Sequence, residues 1–519
     1  MTTTYAVEFL MWLLIAASLI AVLASRLRIP YTVALVLGGL VLGSVHLPIV
    51  ETLVSNKPNW LTPGVTLFIF LPTLLFEGSL KLQVRQLRES ATPIVLLATI
   101  GVLAATLITG YAAHWALGLP VSIALVFGAI TAATDPISVI SIFKELAAPR
   151  RLSVIVEGES LFNDGTAAVL YGILVAGVAS GTLGMWTGIQ EFFFQSLGGV
   201  GVGLVTGYVF SMLLKRIDDP QVEITLTTVL AYGSYLIAQS LHLSGVIATV
   251  STGLLIGNLS GAAMSPRTRL ALWSFWEYAS FVINSLVFLL IGLQVHVGAL
   301  LRNWRAILLA IGAVVLGRIL SVYGLVPISN RFSRRISLEW QHILVGGGIR
   351  GALALALALS LSSDFPYRPQ ILAMTFGVVA FTIVAQGLAL KPLLALLGIS
   401  STPESDYERA RVRQISISSA QSELESMVRN HAISQPAYEQ LRHELGARFA
   451  QAKADVEELY DQDKSRIRPE LQMARIRLIA AEKSAIEQAV HDSLISPQTG
   501  ARMFDEADKR LDTLTGKSK

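Results

Sequence analysis

The sequence predicts an all-α polytopic membrane protein with about 13 transmembrane helices, arranged as two inverted six-helix repeats with broken crossing helices, and a C-terminal cytosolic helical domain. Three observations predict this fold class. The mean hydropathy is +0.59 and only 15% of the residues are charged, values typical of a chain that crosses a membrane many times. Apolar runs recur along the first 400 residues, and the loops between them alternate in basic charge.

Thirteen apolar runs have the length that a bilayer requires, roughly 17–25 residues. They lie at about 5–24, 31–48, 61–80, 92–113, 121–143, 152–176, 191–214, 222–241, 243–258, 275–294, 304–328, 338–362 and 369–395, and are called spans 1 to 13. The loops after odd-numbered spans carry 15 Lys and Arg, against four in the loops after even-numbered spans or at the start of the span that follows. Because short cytoplasmic loops are enriched in basic residues, this alternation predicts an N-terminus outside and a C-terminus inside the cell.

An odd number of spans suggests two six-span halves separated by one linking span, so that the second half is inverted. If span 7 is the linker, span 5 corresponds to span 12. Span 5 contains Thr134-Asp135-Pro136, where the proline removes a backbone donor and disfavours helical geometry at Asp135. Span 12 contains the glycine run 346–348 followed by Gly351. A helix break is therefore predicted at the same place in each half.

The last part of the chain differs in composition. Residues 1–400 hold 22 Lys/Arg and 16 Asp/Glu, whereas residues 401–519 hold 18 and 20. This shift predicts a transmembrane domain at 1–400 and a separate helical tail at 401–519, divided by Pro436, Pro469 and Pro497 into about four helices. The tail shows no catalytic or ligand motif, and we expect it to be cytosolic and regulatory.

Five ionisable residues lie near mid-membrane when depth is counted at about 1.5 Å per helical residue: Asp135, Glu159, Asp164, Arg318 and Arg350. Each would cost about 2.5–3.5 kcal/mol if it were unpaired there, so most must be paired or hydrated. Three carboxylates against two arginines leave one negative charge, which a proton or a monovalent cation can neutralise. If the proton and the cation compete for this site, and the protein turns the site to the other side of the membrane only when the site is neutralised, the result is cation/proton exchange.

Span 6 supplies candidate ligands on adjacent faces. Glu159 and Asn163 share one helix face, and Ser160 and Asp164 share the next. Asp164 and Ser160, facing Thr134 and Asp135 in the broken span 5, offer the hard oxygen ligands that an alkali cation such as Na⁺ prefers, whereas Glu159 is better placed to pair with an arginine.

Two interpretations stay open for several of these charges. Glu159, Arg318 and Arg350 can serve as interhelical struts, a role that is compatible with function. Glu77, one helical turn from Lys81, is either an acid of a cytoplasmic funnel or a residue extending to the membrane surface.

The polar segments resemble the monovalent cation:proton antiporters of the sodium/proton exchanger type, in their prokaryotic branch. The matching motifs are LLFEGSL at 74–80, ATDPISV at 133–139, GESLFNDGTA at 158–167, GRIL at 317–320 and GGGIRGALALALA at 346–358. They occur in the family's order along the whole membrane part. The resemblance implies crossed, broken helices in spans 5 and 12, a homodimer, and a core domain that carries the ion past a dimerisation domain.

The resemblance also implies residue roles. Asp164 matches the carboxylate that binds cation and proton, and Asn163 takes a place that a second Asp holds in electrogenic relatives, which implies electroneutral exchange. Arg318 resembles the partner of Glu159, and Arg350 the positive charge at the helix crossing. The other matching site residues are Thr134, Asp135, Glu159 and Ser160.

The leading hypothesis is therefore an electroneutral Na⁺/H⁺ antiporter of a plasma membrane, a multi-pass transporter and not an enzyme. It would need no cofactor and would carry Na⁺ or Li⁺, with K⁺ as a further candidate. Sodium-coupled symport, a channel, and an intramembrane aspartyl hydrolase using Asp135 and Asp164 are the alternatives. Nucleic acid is not an expected partner, because no basic cluster is interleaved with aromatic residues.

Overall fold

The computed structural model describes residues 3–399 apart from 28–29, 45–62, 147, 182–183, 215–218, 261–265, 295–297 and 299–301, and residues 406–515 apart from 431, 463–474 and scattered positions between 476 and 493. These residues contain helices and no strand. The chain forms two compact units, Met1–Ser401 and Thr402–Lys519. The first contains the predicted spans.

In the described part of the first unit, helices occupy all thirteen predicted spans, which confirms the polytopic all-α class. Their bounds, in chain order, are Thr3–Leu27, Tyr31–Ser44, Pro63–Lys81, Ala91–Leu117, Val121–Glu145 (interrupted), Arg150–Ser180, Met185–Leu214, Pro220–Ser240, Gly245–Leu255 with a π-helical turn at Ile256–Ser260, Pro266–Gln294, Trp304–Ser329, Leu338–Gly346 with Ala352–Leu359, and Arg368–Leu396. Seven of the helices in the described residues are long and apolar enough to cross a membrane individually, in spans 4, 5, 6, 7, 10, 11 and 13.

Two helix boundaries are informative. Spans 8 and 9 are separate, because the chain turns at His242, where φ is 57°, and Ser244 caps the next helix by accepting from the Ile247 N–H. Span 10 begins at Pro266, whereas hydropathy predicts a start near 275. The prediction was too short because helical hydrogen bonding continues through the charged residues that precede the apolar run.

The spans pack mainly as two bundles. Spans 4, 5, 6, 11, 12 and 13 form a six-helix bundle, and the other spans form a seven-helix bundle. Each bundle contains three spans from one half of the chain and the three corresponding spans from the other half, and span 7 joins the seven-helix bundle. An inverted repeat predicts this arrangement. Span 2 approaches span 10 closely in the seven-helix bundle, since a Cβ on Gly39 would lie 2.9 Å from the Gly292 Cα.

The predicted helix breaks are present in the six-helix bundle. In span 5 the first half-helix ends at Ala132 and the second begins at Ile137. In span 12 the halves are Leu338–Gly346 and Ala352–Leu359. The two extended segments meet, and the Asp135 N–H donates to the Ile349 carbonyl at 2.7 Å. Backbone groups freed by the breaks must find partners in this way, because lipid offers none.

The second unit contains a helix pair, Asp406–Arg429 and Gln435–Gln462, and a further helix at Pro497–Thr515. Ile417 and Leu424 from the first helix and Ala452 and Val456 from the second are buried. Two of the predicted helix dividers, Pro436 and Pro497, lie at helix starts, and the third, Pro469, lies outside the described residues.

Candidate ion-binding site

A network of neutral polar groups joins span 6 to the break in span 5. The Thr134 N–H donates to Asn163 Oδ1 at 3.3 Å, and Asn163 Nδ2 donates to Thr134 Oγ1 at 2.7 Å. Ser160 Oγ lies 3.1 Å from Thr134 Oγ1 and donates to the Thr134 carbonyl. All three residues are buried. The network holds the extended segment of span 5 in a single position against span 6.

Glu159 and Arg318 form a buried, bidentate ion pair beside this network. Arg318 Nη1 and Nη2 donate to the two Glu159 carboxylate oxygens at 2.6 and 2.8 Å. Arg318 Nε and Nη2 also donate to the Leu344 carbonyl at 3.1 and 2.8 Å. Leu344 is in the last turn of the first half of span 12, where carbonyls lack intrahelical donors and a positive charge is favourable. Arg318 therefore neutralises Glu159 and caps that half-helix.

Arg350, in the break of span 12, caps the first half-helix of span 5 in a similar way. Its Nε donates to the Thr131 carbonyl at 2.9 Å, near the end of the first half-helix, and its Nη1 donates to the Gly348 carbonyl. Its N–H donates to Thr382 Oγ1 in span 13 at 3.1 Å. Among the described residues Arg350 contacts no carboxylate. Its donors are instead used by carbonyls that the helix breaks leave exposed.

Asp135 lies on the other side of the two breaks, where the second half-helices of spans 5 and 12 begin. Its Oδ1 accepts from the Ile137 N–H at 3.0 Å, at the start of the second half of span 5, and its Oδ2 is buried without a hydrogen-bond partner in the described part of the chain. Its side chain packs against Gly351, which precedes the second half of span 12. A carboxylate there is stabilised by two helix N-termini, so Asp135 complements the two capping arginines.

Gly351→Ala should destabilise this crossing. An added Cβ would lie 2.6 Å from Asp135 Oδ2 and 2.8 Å from Cγ, so the carboxylate or the backbone must move. Overpacking of this kind costs about 1–3 kcal/mol, and we expect a lower melting temperature of the purified protein in detergent. Gly324→Ala in span 11 is the matched control, because no atom lies within 4 Å of its added Cβ. Equal melting temperatures for the two variants would contradict the crowding at Gly351.

Asp164 differs from the other two mid-membrane carboxylates, Asp135 and Glu159. It forms no hydrogen bond or ion pair within the described residues, and its Oδ1 is buried. It lines a cavity of about 490 Å³ together with Thr134 and Asp135. Ser160, predicted as a Na⁺ ligand with these residues, is not among the described residues of the cavity wall, because its hydroxyl is turned into the network with Thr134.

The cavity lies between the two bundles and extends to the face of the membrane unit that carries the basic loops. Spans 3 and 10 form one wall, and spans 5, 6 and 12 form much of the other. Besides Asp135 and Asp164, five charged side chains line the cavity nearer the basic-loop face: Glu77, Lys81, Lys144, Glu157 and Glu277. Lys81 Nζ lies 2.5 Å from Glu77 Oε1 and 3.9 Å from Glu277 Oε1. The structure thus places Glu77 on the cavity wall.

Several cavity residues were missed by the sequence reasoning, namely Glu277, Ser280 and Asn284 in span 10. They occur at intervals of three and four residues, which place them on one helix face. This spacing is visible in the sequence. The spacing alone does not indicate a site, because span 10 contains no helix break and Glu277 lies near the predicted start of its apolar run.

A crossing of two interrupted membrane helices beside buried carboxylates is the architecture of an ion-coupled membrane transporter. The comparison with known families agrees, since the family described as "Sodium/hydrogen exchanger, transmembrane" matches residues 13–396. The chain belongs to the sodium/hydrogen exchanger family, in its prokaryotic branch.

Individual relatives support this assignment. The chain is 36% identical over 513 residues to the Na(+)/H(+) antiporter NhaG of Bacillus atrophaeus, covering 95% of each chain. It is 43% identical over 384 residues to the Na(+)/H(+) antiporter ApNhaP of Aphanothece halophytica, covering 72% of this chain and 70% of the relative. The structure of the sodium proton antiporter MjNhaP1 from Methanocaldococcus jannaschii at pH 8 matches with a TM-score of 0.63 at 22% identity, over 77% of this chain and all of the other. At that identity the structural match establishes the fold.

Proposed function

We propose that this chain is an electroneutral Na⁺/H⁺ antiporter, which exchanges one monovalent cation for one proton by alternating access, with both ions competing for Asp164. The observation that carries the proposal is the state of that carboxylate. Asp164 faces the cavity without a hydrogen bond or ion pair in the described part of the structure, whereas Glu159 is neutralised by Arg318 and Asp135 caps a helix. The relatives named Na(+)/H(+) antiporters support sodium and protons as the ions.

The charges favour one-for-one exchange. Glu159 and Arg318 cancel, and the charges of Asp135 and Arg350 offset each other across the helix crossing. Asp164 is then the surplus charge, and one proton or one Na⁺ neutralises it. Asn163 cannot titrate, and its amide is occupied by Thr134 and Glu159. A site that is neutral in both loaded states crosses the membrane without work against the membrane potential. For a charged site this work is about 2.3 kcal/mol per charge per 100 mV.

The arrangement of the bundles suggests how the site changes sides. Asp164 belongs to the six-helix bundle, while spans 3 and 10 on the facing wall belong to the seven-helix bundle. Beside Asp164, Gly165 packs against Val246 and Ile247 at the start of span 9, and this contact closes the seam between the bundles. Displacement of one bundle against the other would open this seam and close the cavity, as in other transporters built from inverted repeats.

The remaining features of the proposal follow from charge and site chemistry. Thr134 and Asp164 are the cavity-facing oxygen ligands for Na⁺ or Li⁺, with Ser160 joining if its hydroxyl turns, and K⁺ is a further candidate. The basic loops support a cytoplasmic cavity mouth and tail, with the N-terminus outside a plasma membrane. We also propose that the protein is a homodimer and that the tail is regulatory.

Transport in proteoliposomes tests the proposal. Na⁺ added to vesicles with an imposed pH gradient should dissipate the gradient at a rate that does not change when the membrane potential is clamped at zero or at 100 mV. The KM for Na⁺ should rise with proton concentration while the maximal rate stays constant, because the ions compete for one carboxylate. A potential-dependent rate would contradict electroneutrality. Insensitivity to Na⁺, Li⁺ and K⁺ alike would overturn antiport.

A further inference from the structure

Span 10 carries a polar stripe on the cavity wall opposite Asp164. Glu277, Ser280 and Asn284 lie on one helix face, and all three line the cavity. At 1.5 Å per residue the stripe runs about 10 Å along the helix, from the basic-loop face toward mid-membrane. None of these residues belongs to the network around Thr134 or to the helix crossing. The stripe therefore requires an explanation of its own.

Asn284 is the informative member of the stripe. Its side chain is 6% exposed, and its Nδ2 donates to Ser280 Oγ at 3.3 Å. That bond orients the amide, and Oδ1 is buried without a hydrogen-bond partner among the described residues. A buried acceptor left without a donor costs about 1–3 kcal/mol, and native structures contain few of them. Asn284 lines an acidic cavity, so its unsatisfied amide oxygen can become a ligand when a cation enters and the side chain turns toward it.

The depth of Asn284 in the cavity indicates when an entering cation would reach it. Counted from the predicted membrane edge at 275, Asn284 is about 14 Å deep, whereas Asp164 is about 18 Å deep from the same face. A cation that enters from the basic-loop face therefore passes Glu277 and Ser280 and reaches Asn284 just before Asp164. It can exchange water for the amide oxygen before it meets the carboxylate.

We propose that Asn284 Oδ1 is a ligand for the transported alkali cation, used only while the cavity is open to the basic-loop face, and that Ser280 orients the amide. The inference rests on the proposed function, since it assumes that the cation is transported. Asn284 belongs to the seven-helix bundle and Asp164 to the six-helix bundle. Movement of the bundles that carries Asp164 to the opposite face separates the two residues, so this ligand contributes to cation affinity on one side only.

The test compares the KM for Na⁺ on the two faces of the membrane, using everted and right-side-out vesicles from cells without other sodium antiporters. Asn284→Leu keeps the side-chain size and removes the oxygen, and should raise the KM about tenfold on the cavity face and leave it unchanged on the other. Asn284→Asp keeps an oxygen and should not raise the KM. Ser280→Ala frees the amide and should give a smaller increase on the cavity face.

Ser234→Ala is the matched control, because Ser234 is buried in span 8, bonds to the Ala231 carbonyl of its own helix and does not line the cavity. It should keep the wild-type KM on both faces. An unchanged KM for Asn284→Leu on the cavity face overturns the proposal, as does an equal increase on both faces or an equal increase for Asn284→Asp. Should Asn284→Leu fail to fold, Asn284→Asp and Ser280→Ala still decide it. Failure of the antiport proposal is distinct, because wild-type vesicles would then show no Na⁺-dependent proton movement.

Discussion

Asp164→Asn should lower Na⁺-dependent proton exchange at least about 100-fold, which corresponds to the loss of one strong charge-assisted interaction of about 3 kcal/mol. The substitution preserves size and leaves an amide that can neither take a proton nor neutralise a cation. Because the other two mid-membrane carboxylates, Glu159 and Asp135, are engaged with Arg318 and with Ile137, neither can replace it. The measurement is the dissipation of an imposed pH gradient in proteoliposomes containing equal amounts of folded protein.

A second measurement separates loss of the ion site from loss of the fold. Removing a buried, unpaired carboxylate should raise the melting temperature in Na⁺-free buffer, because the wild-type charge is uncompensated there. Na⁺ should stabilise the wild type by mass action and should not stabilise Asp164→Asn. Asp364→Asn, in the exposed turn between spans 12 and 13, is the control and should behave as wild type. More than a tenth of wild-type exchange in Asp164→Asn would remove Asp164 from the proposed role.

Arg318→Met should have the largest effect on stability. It leaves Glu159, which is 2% exposed, as an isolated buried charge, and it removes both side-chain donors to the Leu344 carbonyl. Loss of one partner of a buried ion pair costs about 3–5 kcal/mol. The melting temperature in detergent, followed by tryptophan fluorescence, should fall much further than it does when any exposed charged residue is substituted.

The double variant Glu159→Gln/Arg318→Met shows how much of this loss comes from the isolated carboxylate. It should recover part of the stability, because neither charge is then left alone, so the two single effects should not add. Lys391→Met is the matched control, since it breaks an exposed ion pair with Glu145 that contributes about 1 kcal/mol or less. Melting temperatures that fall equally in Arg318→Met and Lys391→Met would show that the buried pair does not stabilise the crossing.

Much of the fold could be predicted because membrane spans leave a strong signal in the sequence. A bilayer selects helices of nearly constant length, and basic loops record which face each helix end occupies. The breaks at Thr134–Pro136 and at Gly346–Gly351 were visible because proline and glycine act locally on the backbone. The start of span 10 was misplaced by nine residues, since hydropathy reports depth in lipid and not helical hydrogen bonding.

The residues of the candidate site could be predicted, whereas most of the contacts between them could not. Charged residues inside apolar runs identify themselves, because lipid excludes them unless they serve a purpose. Their partners depend on which helices cross. Arg350, for example, donates to backbone carbonyls at Thr131 and Gly348, partners that the sequence does not indicate. Asn284 went unnoticed because a neutral amide in an apolar span has little effect on hydropathy.

The sequence by itself determined that the chain is helical and crosses a membrane, where its helices break, and that one negative charge exceeds the positive charges near mid-membrane. These properties arise from local backbone chemistry and from composition. Composition and local backbone chemistry did not decide which of the three mid-membrane carboxylates is left without a partner; the resemblance implied Asp164, and only the tertiary structure shows the contacts. That choice depends on contacts between residues distant in the chain, such as the pairing of Glu159 with Arg318. It leaves Asp164 facing a cavity that two separate bundles enclose.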